Sequence, residues 1–550
     1  MNPLYYPVFI ILIIYLARKI QIRLRLSKAK HPSLAGHSKQ SRRIAKIIPA
    51  YTIGEEKFFS IDGAPSQIES KRKSGFYDLV NHFKSLSPKT IEFGEGLQND
   101  ISDIEFTRSY RVPFQFSDFV KQNINTIGFV TESNGTQLKD LDGNLYYDLT
   151  GSYGVNVFGY EFYKECLAQA HETVKNMGPV LGLYHPVISE NTKILKTISG
   201  LDEVSYHMSG TEAVMQAVRL ARYHTKKSHL VRFCGAYHGW WDGVQPGIGN
   251  QRNNDDIYTL KEMDQSTLKV LRTRNDIACV LVNPLQAMHP NNNPPSDAML
   301  VSSDRHANYN KESYTKWLHE LRKVCTDRGI VLIMDEIFVG FRLAYQGAQE
   351  YFSVQADMVT YGKTLGGGLP IGVVCGKHEL MKRYRNNRPA DVCFARGTFN
   401  SHPLVMATMN AFLKKISAPS IQDSYKNIDF FWNSRVQSLN KKLKDKELPL
   451  LFINMVSVWT ILFTVPSRYN WMLQFYLRAQ GLAISWVGSG RIIMSHDYTE
   501  SDYNAVMDKI VTAAENMQQD GWWWSNPLLS NKSIKRQIAF EFIASLFNKK

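Results

Sequence analysis

The hydrophobic positions in the middle of the chain form short apolar runs separated by longer amphipathic segments. Apolar residues between the runs recur at helical spacing, as at Val214, Ala217, Val218 and Ala221. The runs are rich in strand-forming residues, which is typical of buried strands. They span residues 204–208, 230–233, 277–282, 331–334 and 371–375. Strands that alternate with amphipathic helices predict an α/β fold with a mostly parallel sheet covered on both faces.

Turn signals and a change of composition predict smaller structure on both sides of this region. Asn134-Gly135 and Asp142-Gly143 predict an antiparallel hairpin unit. After about residue 415 a charged helix, short strands and a closing helix indicate a smaller α+β domain, built from both chain ends. The predicted divisions are a hydrophobic segment at 1–27, a basic tether at 28–74, small-domain parts at 75–180 and 415–518, a large domain at 181–414 and an aromatic, amphipathic tail at 519–550.

The N-terminal segment Leu4–Ala17 is almost wholly apolar and is followed by Arg18 and Lys19. It is shorter than the ~20 apolar residues of a comfortable membrane span, and its charge follows the apolar part, unlike in a signal peptide. We interpret it as an uncleaved membrane anchor that spans the bilayer or lies in its interface, with the basic flank and the catalytic domain on the cytoplasmic side. The alternative is a helix that packs on the protein itself.

The charge of the chain is concentrated at its N-terminus. The net charge is +15, but residues 1–50 hold ten Lys and Arg and no Asp or Glu. The rest of the chain therefore presents no basic face, and we expect no nucleic-acid partner. The six cysteines show no CxxC spacing, which favours buried free thiols. The histidines show no metal-ligand spacing, and we predict no metal.

A candidate chemical site follows the apolar run at 331–334. Asp335 and Glu336 come where that strand should end, and Lys363 stands between Gly362 and the glycines at 366–368. A lysine that forms a Schiff base and a carboxylate that keeps a pyridine nitrogen protonated suit pyridoxal phosphate. A nucleotide phosphate-binding loop would need glycine at position 357, where the chain has Asp357. A solvated surface lysine is the other alternative.

Two further segments fit the same cofactor. Ser209, Gly210 and Thr211 open a predicted helix, where free amides and hydroxyls can bind phosphate, although the same residues also serve as a simple helix cap. Tyr237 lies on a glycine-rich loop after a strand and could stack on a planar ring or pack in the core. Like Asn283 and Asp335, these residues follow predicted strands, at the edge where such sheets bind ligands.

Taken together, these segments resemble the class III aminotransferases of fold type I, and closely the branch that contains glutamate-1-semialdehyde aminomutase. The resemblance covers residues 125–515. It is carried by the motifs SGTEA at 209–213, AYHG at 236–239, MDEIFVGFR at 334–342, GKTLGGGLPIG at 362–372 and GTFNSHP at 397–403.

The resemblance implies a pyridoxal phosphate enzyme that forms a homodimer with shared active sites. Lys363 would bind the cofactor covalently, and Asp335 would pair with its ring nitrogen. Ile337 would pack behind the ring and Tyr237 in front of it. Thr398 would reach the phosphate from a second subunit. The predicted catalytic residues are Lys363 and Asp335, and the predicted cofactor-binding residues are Ser209, Gly210, Thr211, Tyr237, His238, Asn283, Gln286, Asp335, Ile337, Lys363 and Thr398.

Departures from the aminomutase pattern bear on the substrate. Asn283 replaces an acidic residue before Pro284, and Trp240-Trp241 replace a small polar pair. The YHGWWDGV and NPLQAMHPN stretches resemble the aminotransferase domains of hybrid polyketide–peptide synthases. Our first hypothesis is an aminotransferase that moves an amine from an amino donor to an oxo group of an acyl or fatty-type acceptor, such as a β-ketoacyl thioester. An aminomutase that shifts an amine within one molecule is the second, and a non-catalytic scaffold is the third.

Overall fold

The structure is a computed structural model that describes residues 5–31, 38–126, 128–293 and 295–547. Its helices, in chain order, are α1 Tyr5–Ala29, α2 Ser38–Ala45, α3 Glu55–Phe58, α4 Ser66–Leu86, α5 Pro88–Leu97, α6 Ser102–Ser109, α7 Phe114–Asn123, α8 Tyr160–Val174, α9 Val187–Ser199, α10 Gly210–Thr225, α11 Gln265–Thr273, α12 Lys311–Arg328, α13 Gly347–Tyr351, α14 His378–Met381, α15 Pro403–Ile416, α16 Pro419–Ser424, α17 Ile428–Asp445, α18 Leu473–Ala479, α19 Glu500–Gln519 and α20 Asn531–Phe547.

The strands complete the description of secondary structure. They are β1 Val130–Asn134, β2 Gln137–Asp140, β3 Leu145–Asp148, β4 Glu203–His207, β5 His229–Phe233, β6 Ile257–Leu260, β7 Ile277–Val282, β8 Val331–Asp335, β9 Met358–Gly362, β10 Gly372–Gly376, β11 Tyr384–Arg385, β12 Arg388–Val392, β13 Leu450–Met455, β14 Val458–Phe463, β15 Leu482–Ala483 and β16 Ile492–Ile493.

The chain divides into two compact units. The first, here called the sheet unit, comprises Met1–Ala45, Leu167–Asn293 and Asn310–Gln422. The second unit comprises Lys46–Cys166, Pro294–Tyr309 and Asp423–Lys550. Each unit is therefore built from segments that are distant in sequence.

A seven-stranded sheet forms the centre of the sheet unit, in the order β4-β10-β9-β8-β7-β5-β6. β10 is antiparallel to both of its neighbours, and the pairs from β9 through to β6 are parallel. β7, β8 and β9 are buried along their whole length, and in β7 and β8 this burial explains why the sequence is an apolar run rather than an alternating pattern. The predicted α/β class with a mostly parallel sheet is confirmed.

The helix α10 begins at a residue that caps its first turn. Ser209 caps α10 by accepting a hydrogen bond from the Glu212 amide. α10 then buries Val214, Ala217 and Val218 against the sheet. Its start consequently lies where β4 ends, at the edge of the sheet that carries the candidate site.

The second unit contains a four-stranded sheet, β1-β2-β3-β15, and a three-stranded sheet, β13-β14-β16. The predicted hairpin corresponds to β1 and β2, which are antiparallel, and β2 pairs in turn with β3. α20 packs in this unit through Phe542, whose ring stacks on Phe114 with centroids 6.3 Å apart, and through an ion pair between Arg468 and Glu541. Part of the tail therefore packs on its own unit.

Residues 46–74 differ from the predicted basic tether, because they are folded into the second unit. Arg72 is completely buried, and its guanidinium lies 2.7 Å from the carboxylate of Asp62, which is also buried. Phe58 packs against Phe76 with ring centroids 5.4 Å apart. A tether would leave its basic residues in solvent. Arg72 is buried instead, because the carboxylate of Asp62 pairs with its charge inside the fold.

The N-terminal helix α1 corrects part of the anchor prediction. None of the helices formed by the described residues is long and apolar enough to cross a membrane, so the spanning alternative of the anchor prediction is not supported. The end of α1 is held in the sheet unit, where Ala29 is buried and its carbonyl accepts a hydrogen bond from the Lys261 amide. The side chains of residues 8–16 are between 48% and 67% exposed, so this half of the helix does not pack on the protein.

Candidate active site

The carboxyl ends of β8 and β9 carry the two residues on which the candidate site depends. β8 ends at Asp335, and Lys363 follows the last residue of β9. The strands are parallel neighbours in which Asp335 lies opposite Thr360. The Thr360 hydroxyl donates a hydrogen bond of 3.3 Å to Oδ1 of Asp335. The sheet therefore places both residues at one edge although 27 residues separate them in sequence.

His238 holds the carboxylate of Asp335. Its Nδ1 lies 2.7 Å from Oδ2 of Asp335, and both side chains are almost completely buried. Oδ1 of Asp335 also accepts a hydrogen bond of 3.2 Å from the amide of Ile337. With Asp335 as the acceptor, Nδ1 of His238 carries the proton, and the ring fixes the orientation of the carboxylate.

Lys363 has an unusual backbone conformation. Its φ angle is +50°, in the left-handed region that residues with a side chain seldom adopt. Its Nζ lies 5.1 Å from the centre of the Phe338 ring. Such backbone outliers are concentrated at functional sites, where the surrounding structure holds them in place.

The start of α10 meets the loop that carries Tyr237 and His238. Gly239 in this loop has φ +91°, and a Cβ atom there would lie 2.4 Å from Oγ1 of Thr211. A Cβ atom on Gly210 would lie 2.8 Å from the side chain of Ile337. The two glycines therefore allow the helix N-terminus to approach both the loop and the residues that follow Asp335. Ser209, Gly210 and Thr211 are partly exposed there, as a phosphate-binding helix N-terminus requires.

Tyr237 lies beside the buried pair with its side chain 57% exposed. Partial burial of its phenol group and the negative charge of Asp335 raise the pKa of Tyr237 above its ordinary value. Its carbonyl accepts a hydrogen bond of 2.8 Å from Nδ2 of Asn283. The ring is thus presented on a fixed backbone, and its predicted stacking on the cofactor stays a prediction.

Asn283 and Gln286 support the loop through its backbone. Asn283 contacts the Tyr237 carbonyl and caps the short helical turn at Pro284–Met288. Nε2 of Gln286 lies within 3.2 Å of the carbonyl oxygens of Cys234, His289 and Asn292. In the structure these amide nitrogens bind protein carbonyls, so both side chains fix the position of the loop. Direct contact of either residue with the cofactor stays a prediction.

Ile337 and Thr398 are placed differently from each other. Ile337 packs on the core beneath the start of α10, as expected for a side chain behind a cofactor ring. Thr398 is exposed, and Phe394 and Phe399 near it are 75% and 52% exposed. Its predicted contact from one subunit to the site of another stays a prediction.

Three residues near the site were not assigned a role from the sequence. Thr360 contacts Asp335, and Phe338 lies beside the amine of Lys363. Glu336 is buried on the other side of the strand end, where it accepts hydrogen bonds from the amides of Ala348 and Gln349. Burial, followed by the charge of Asp335, raises the pKa of Glu336 to about 8. The motif assigned the role to Asp335, and the contacts agree, because Asp335 pairs with His238 whereas Glu336 binds amides of α13.

The arrangement of these groups fits pyridoxal phosphate. Asp335 supplies a carboxylate for a ring nitrogen, Lys363 an amine for a carbonyl carbon, and the start of α10 free amides and hydroxyls for a phosphate. Nε2 of His238 is buried and has no hydrogen-bond partner among the described residues. Within the same residues no group of three or more His, Cys, Asp or Glu could hold a metal ion.

Comparison with known proteins identifies the family. The family described as "Aminotransferase class-III" matches residues 119–513. The chain belongs to the class-III aminotransferases. The family membership indicates an enzyme with pyridoxal phosphate as its cofactor, so the scaffold hypothesis is not kept.

Individual relatives agree with this assignment. A glutamate-1-semialdehyde 2,1-aminomutase of Nitratidesulfovibrio vulgaris (strain DP4) is 29% identical over 394 residues, which cover 69% of this chain and 90% of that protein. A β-phenylalanine aminotransferase from Variovorax paradoxus has a TM-score of 0.65 at 20% identity, covering 81% of this chain and 98% of that one. A transaminase solved with PLP bound has a TM-score of 0.60 at 24% identity, covering 72% and 92%. The predicted type I fold and aminomutase-like branch are confirmed.

Replacing Lys363 with Ala is expected to abolish turnover. The amine supplies covalent and proton-transfer chemistry, so the rate should fall by about 10²–10⁴-fold or more, and the visible absorbance of the bound cofactor should be lost. Lys269→Ala on the exposed surface of α11 is the matched control and should behave as the wild type. Steady-state rates and absorbance spectra measure both effects. Full activity of the Lys363→Ala protein would contradict the assignment.

Replacing Asp335 with Asn is expected to leave cofactor bound but to slow the reaction by about 10²–10³-fold, because a neutral amide no longer stabilises positive charge on the ring nitrogen. Glu336→Gln provides the comparison, since that carboxyl group binds amides of α13 instead. Its rate should change much less. A near-normal rate in the Asp335→Asn protein together with a large loss in the Glu336→Gln protein would assign the role to Glu336.

Proposed function

We propose that this enzyme transfers an amino group from an amino donor to an oxo group of an acyl or fatty-type acceptor, such as a β-ketoacyl thioester. Pyridoxal phosphate, when bound, withdraws electrons from the carbon that bears the amine. Lys363 binds the cofactor and moves a proton at that carbon. Asp335, oriented by His238 and Thr360, stabilises positive charge on the ring nitrogen.

The aromatic character of the loop beside Lys363 and Asp335 is the observation that carries the acceptor class. Trp240 is 77% exposed and Tyr237 57% exposed on the loop that bears His238. Phe338 adds a third ring beside the amine of Lys363. Exposed aromatic rings on a held backbone suit an extended apolar chain better than a small, highly polar substrate.

Similarity to a solved enzyme supports an acceptor that receives the amine at its β carbon. The Variovorax paradoxus protein is a β-phenylalanine aminotransferase, and its fold covers most of this chain. A β-amino acid and the amine formed from a β-ketoacyl group carry nitrogen at the same carbon relative to the acyl carbon. The proposal is that this enzyme also places the amine on the β carbon of its acceptor.

An aminomutase is the second candidate, and the curated relatives favour it. Several of them, at 29–32% identity, are glutamate-1-semialdehyde 2,1-aminomutases. Such an enzyme moves an amine within one molecule, so it needs no separate donor. The departures at Asn283 and Trp240 are the residues of this chain that favour a transaminase instead.

We also propose a homodimer in which Thr398 of one copy completes the phosphate site of the other. The exposed positions of Phe394, Phe399 and Val392 around Thr398 support a contact surface in this segment. Apolar side chains grouped on a surface are typical of protein interfaces.

Incubation of the holoenzyme with a panel of amino acids should distinguish the two reactions. A transaminase should lose the cofactor's visible absorbance with particular amino donors, and a β-ketoacyl thioester should then restore it. Trp240→Ala should weaken the response to long acyl chains and leave that to short chains unchanged, because the ring supplies apolar contact only. Turnover of glutamate-1-semialdehyde, in which the amine lies on the carbon next to the aldehyde, without any added donor, together with no response to β-ketoacyl thioesters, would favour the aminomutase and reject this proposal.

We further propose that α1 binds to a membrane surface without spanning it. Its apolar residues 8–16 are exposed on all sides, and Arg18, Lys19, Arg23 and Arg25 follow them. Burial of such a segment contributes roughly 25 cal/mol per Å² of apolar area, and each basic residue near anionic lipid adds about 1 kcal/mol. The catalytic part of the protein would then lie on the cytoplasmic side, which agrees with six buried cysteines that form no disulfide bond.

Cosedimentation of the full-length protein with anionic vesicles tests the membrane proposal. The wild type should pellet with the vesicles, and a protein with Ile10→Glu and Ile14→Glu should remain in the supernatant with unchanged activity, because both side chains are exposed and distant in sequence from the site. A truncation at residue 75 is unsuitable, since it would remove the buried Phe58 and Arg72. Equal pelleting of both proteins, or of neither, would contradict the proposal.

A further inference from the structure

A cationic cavity lies along the side of α10 in the sheet unit. It has a volume of about 470 Å³, and four arginines contribute to its lining. Arg219 and Arg222 come from α10, while Arg252 and Arg396 come from two loops. Gln216 and Trp241 also line it. The lining reaches Glu212 in the first turn of α10 and Gly397 in a loop, but it contains none of the residues predicted to bind the cofactor phosphate, Ser209, Gly210, Thr211 and Thr398.

Gln216 is the residue of this cavity whose hydrogen bonding is incomplete. Its side chain is on a residue only 3% exposed, yet neither Nε2 nor Oε1 has a hydrogen-bond partner within the described residues. Buried amides nearly always have partners, and a buried amide without one is destabilising. An amide that faces a cavity therefore points to a ligand with an atom that accepts a hydrogen bond from Nε2.

Contacts with neighbouring residues fix three of the arginines with their side chains in the lining of the cavity. Arg222 pairs with Asp256 at 2.8 Å, and Arg219 donates a hydrogen bond of 3.1 Å to the carbonyl of Phe394. The guanidinium of Arg396 lies over the ring of Tyr184, 5.6 Å from its centre. A fork of N–H donors on each arginine matches the oxygens of a phosphate.

The charges in and around the cavity give it a positive excess. Four arginines and Glu212 in the lining give a formal charge of +3, which Asp256 on Arg222 reduces to +2. The carboxylate of Glu212 is occupied by the Met208 amide at 2.9 Å. Burial, then the charge of Arg383, lowers the pKa of His207 to about 4, so this lining residue adds no charge at neutral pH. An excess of +2 matches a phosphate group, whose charge is about −1.5 to −2 at pH 7.

We propose that this cavity binds a phosphate group in addition to that of the cofactor, with Gln216 and Arg252 among its ligands. Two sources carry such a group: free inorganic phosphate, and the phosphate-bearing carrier of a thioester substrate. The site itself is inferred from the cavity and does not depend on the proposed acceptor. If a thioester carrier is the source, the cavity also determines which acceptors the enzyme recognises.

Titration of the holoenzyme with inorganic phosphate tests the proposal, because bound cofactor already fills the start of α10. Isothermal titration calorimetry at constant ionic strength should show one saturable site per chain. Gln216→Leu and Arg252→Gln should each weaken the affinity at least about tenfold, as expected when a contact to a charged ligand is lost. Arg272→Gln, at an exposed position on α11, is the matched control and should bind as the wild type.

Coenzyme A, which carries phosphates on a thioester-forming carrier, separates the two sources. Tighter binding of coenzyme A than of phosphate, lost in the same two variants, would support the carrier; equal or weaker binding would support free phosphate. For each variant, the cofactor absorbance and the melting temperature measured without phosphate show whether the protein is folded. If Gln216→Leu does not fold, Gln216→Glu is the second variant, and its negative charge should repel phosphate.

Two results would overturn the proposal. One is the absence of saturable binding, or equal binding by the wild type and both variants. The other is a change of the monomer–dimer equilibrium in the Gln216→Leu protein with unchanged phosphate affinity, because the cavity would then be filled by a second copy of the chain.

Discussion

The pairing of β8 with β9 is the constraint on which the candidate site depends. Parallel neighbours must end at the same edge of the sheet, so Asp335 and Lys363 meet there. The buried contact between Asp335 and His238 then ties the loop after β5 to the same edge. Close approach at Gly239 and Gly210 adds the start of α10. One acid, one amine and one helix N-terminus are thus brought together from segments up to about 150 residues apart, and that combination is what pyridoxal phosphate chemistry requires.

The residues around these groups hold the reacting side chains and their loops in position. Asn283 and Gln286 hold the backbone of the loop that presents Tyr237 and His238. Thr360 and the Ile337 amide hold the carboxylate of Asp335. Glu336, one residue further on, is used to fix α13. Rigid support of this kind keeps reacting groups within a small range of positions, on which rates depend steeply.

Much of the sheet could be predicted because its buried strands are continuous apolar runs. β6 and β9 were not predicted, since Thr259, Thr360 and Gly362 interrupt their apolar character. Residues 46–74 were also misread, because composition does not show that Arg72 has a buried carboxylate partner. Motifs located Asp335 and Lys363, but they could not show that Gln286 binds carbonyls or that Phe338 lies beside Lys363. Those contacts depend on loops whose ends are set by tertiary packing.

Attachment of the cofactor to one lysine is the most direct measurement of the central claim. Borohydride reduction of the holoenzyme makes the lysine–cofactor bond permanent, and peptide mapping by mass spectrometry then locates it. The account predicts a single modified peptide, with the phosphopyridoxyl group on Lys363. Modification of a different lysine, or of none, would contradict it.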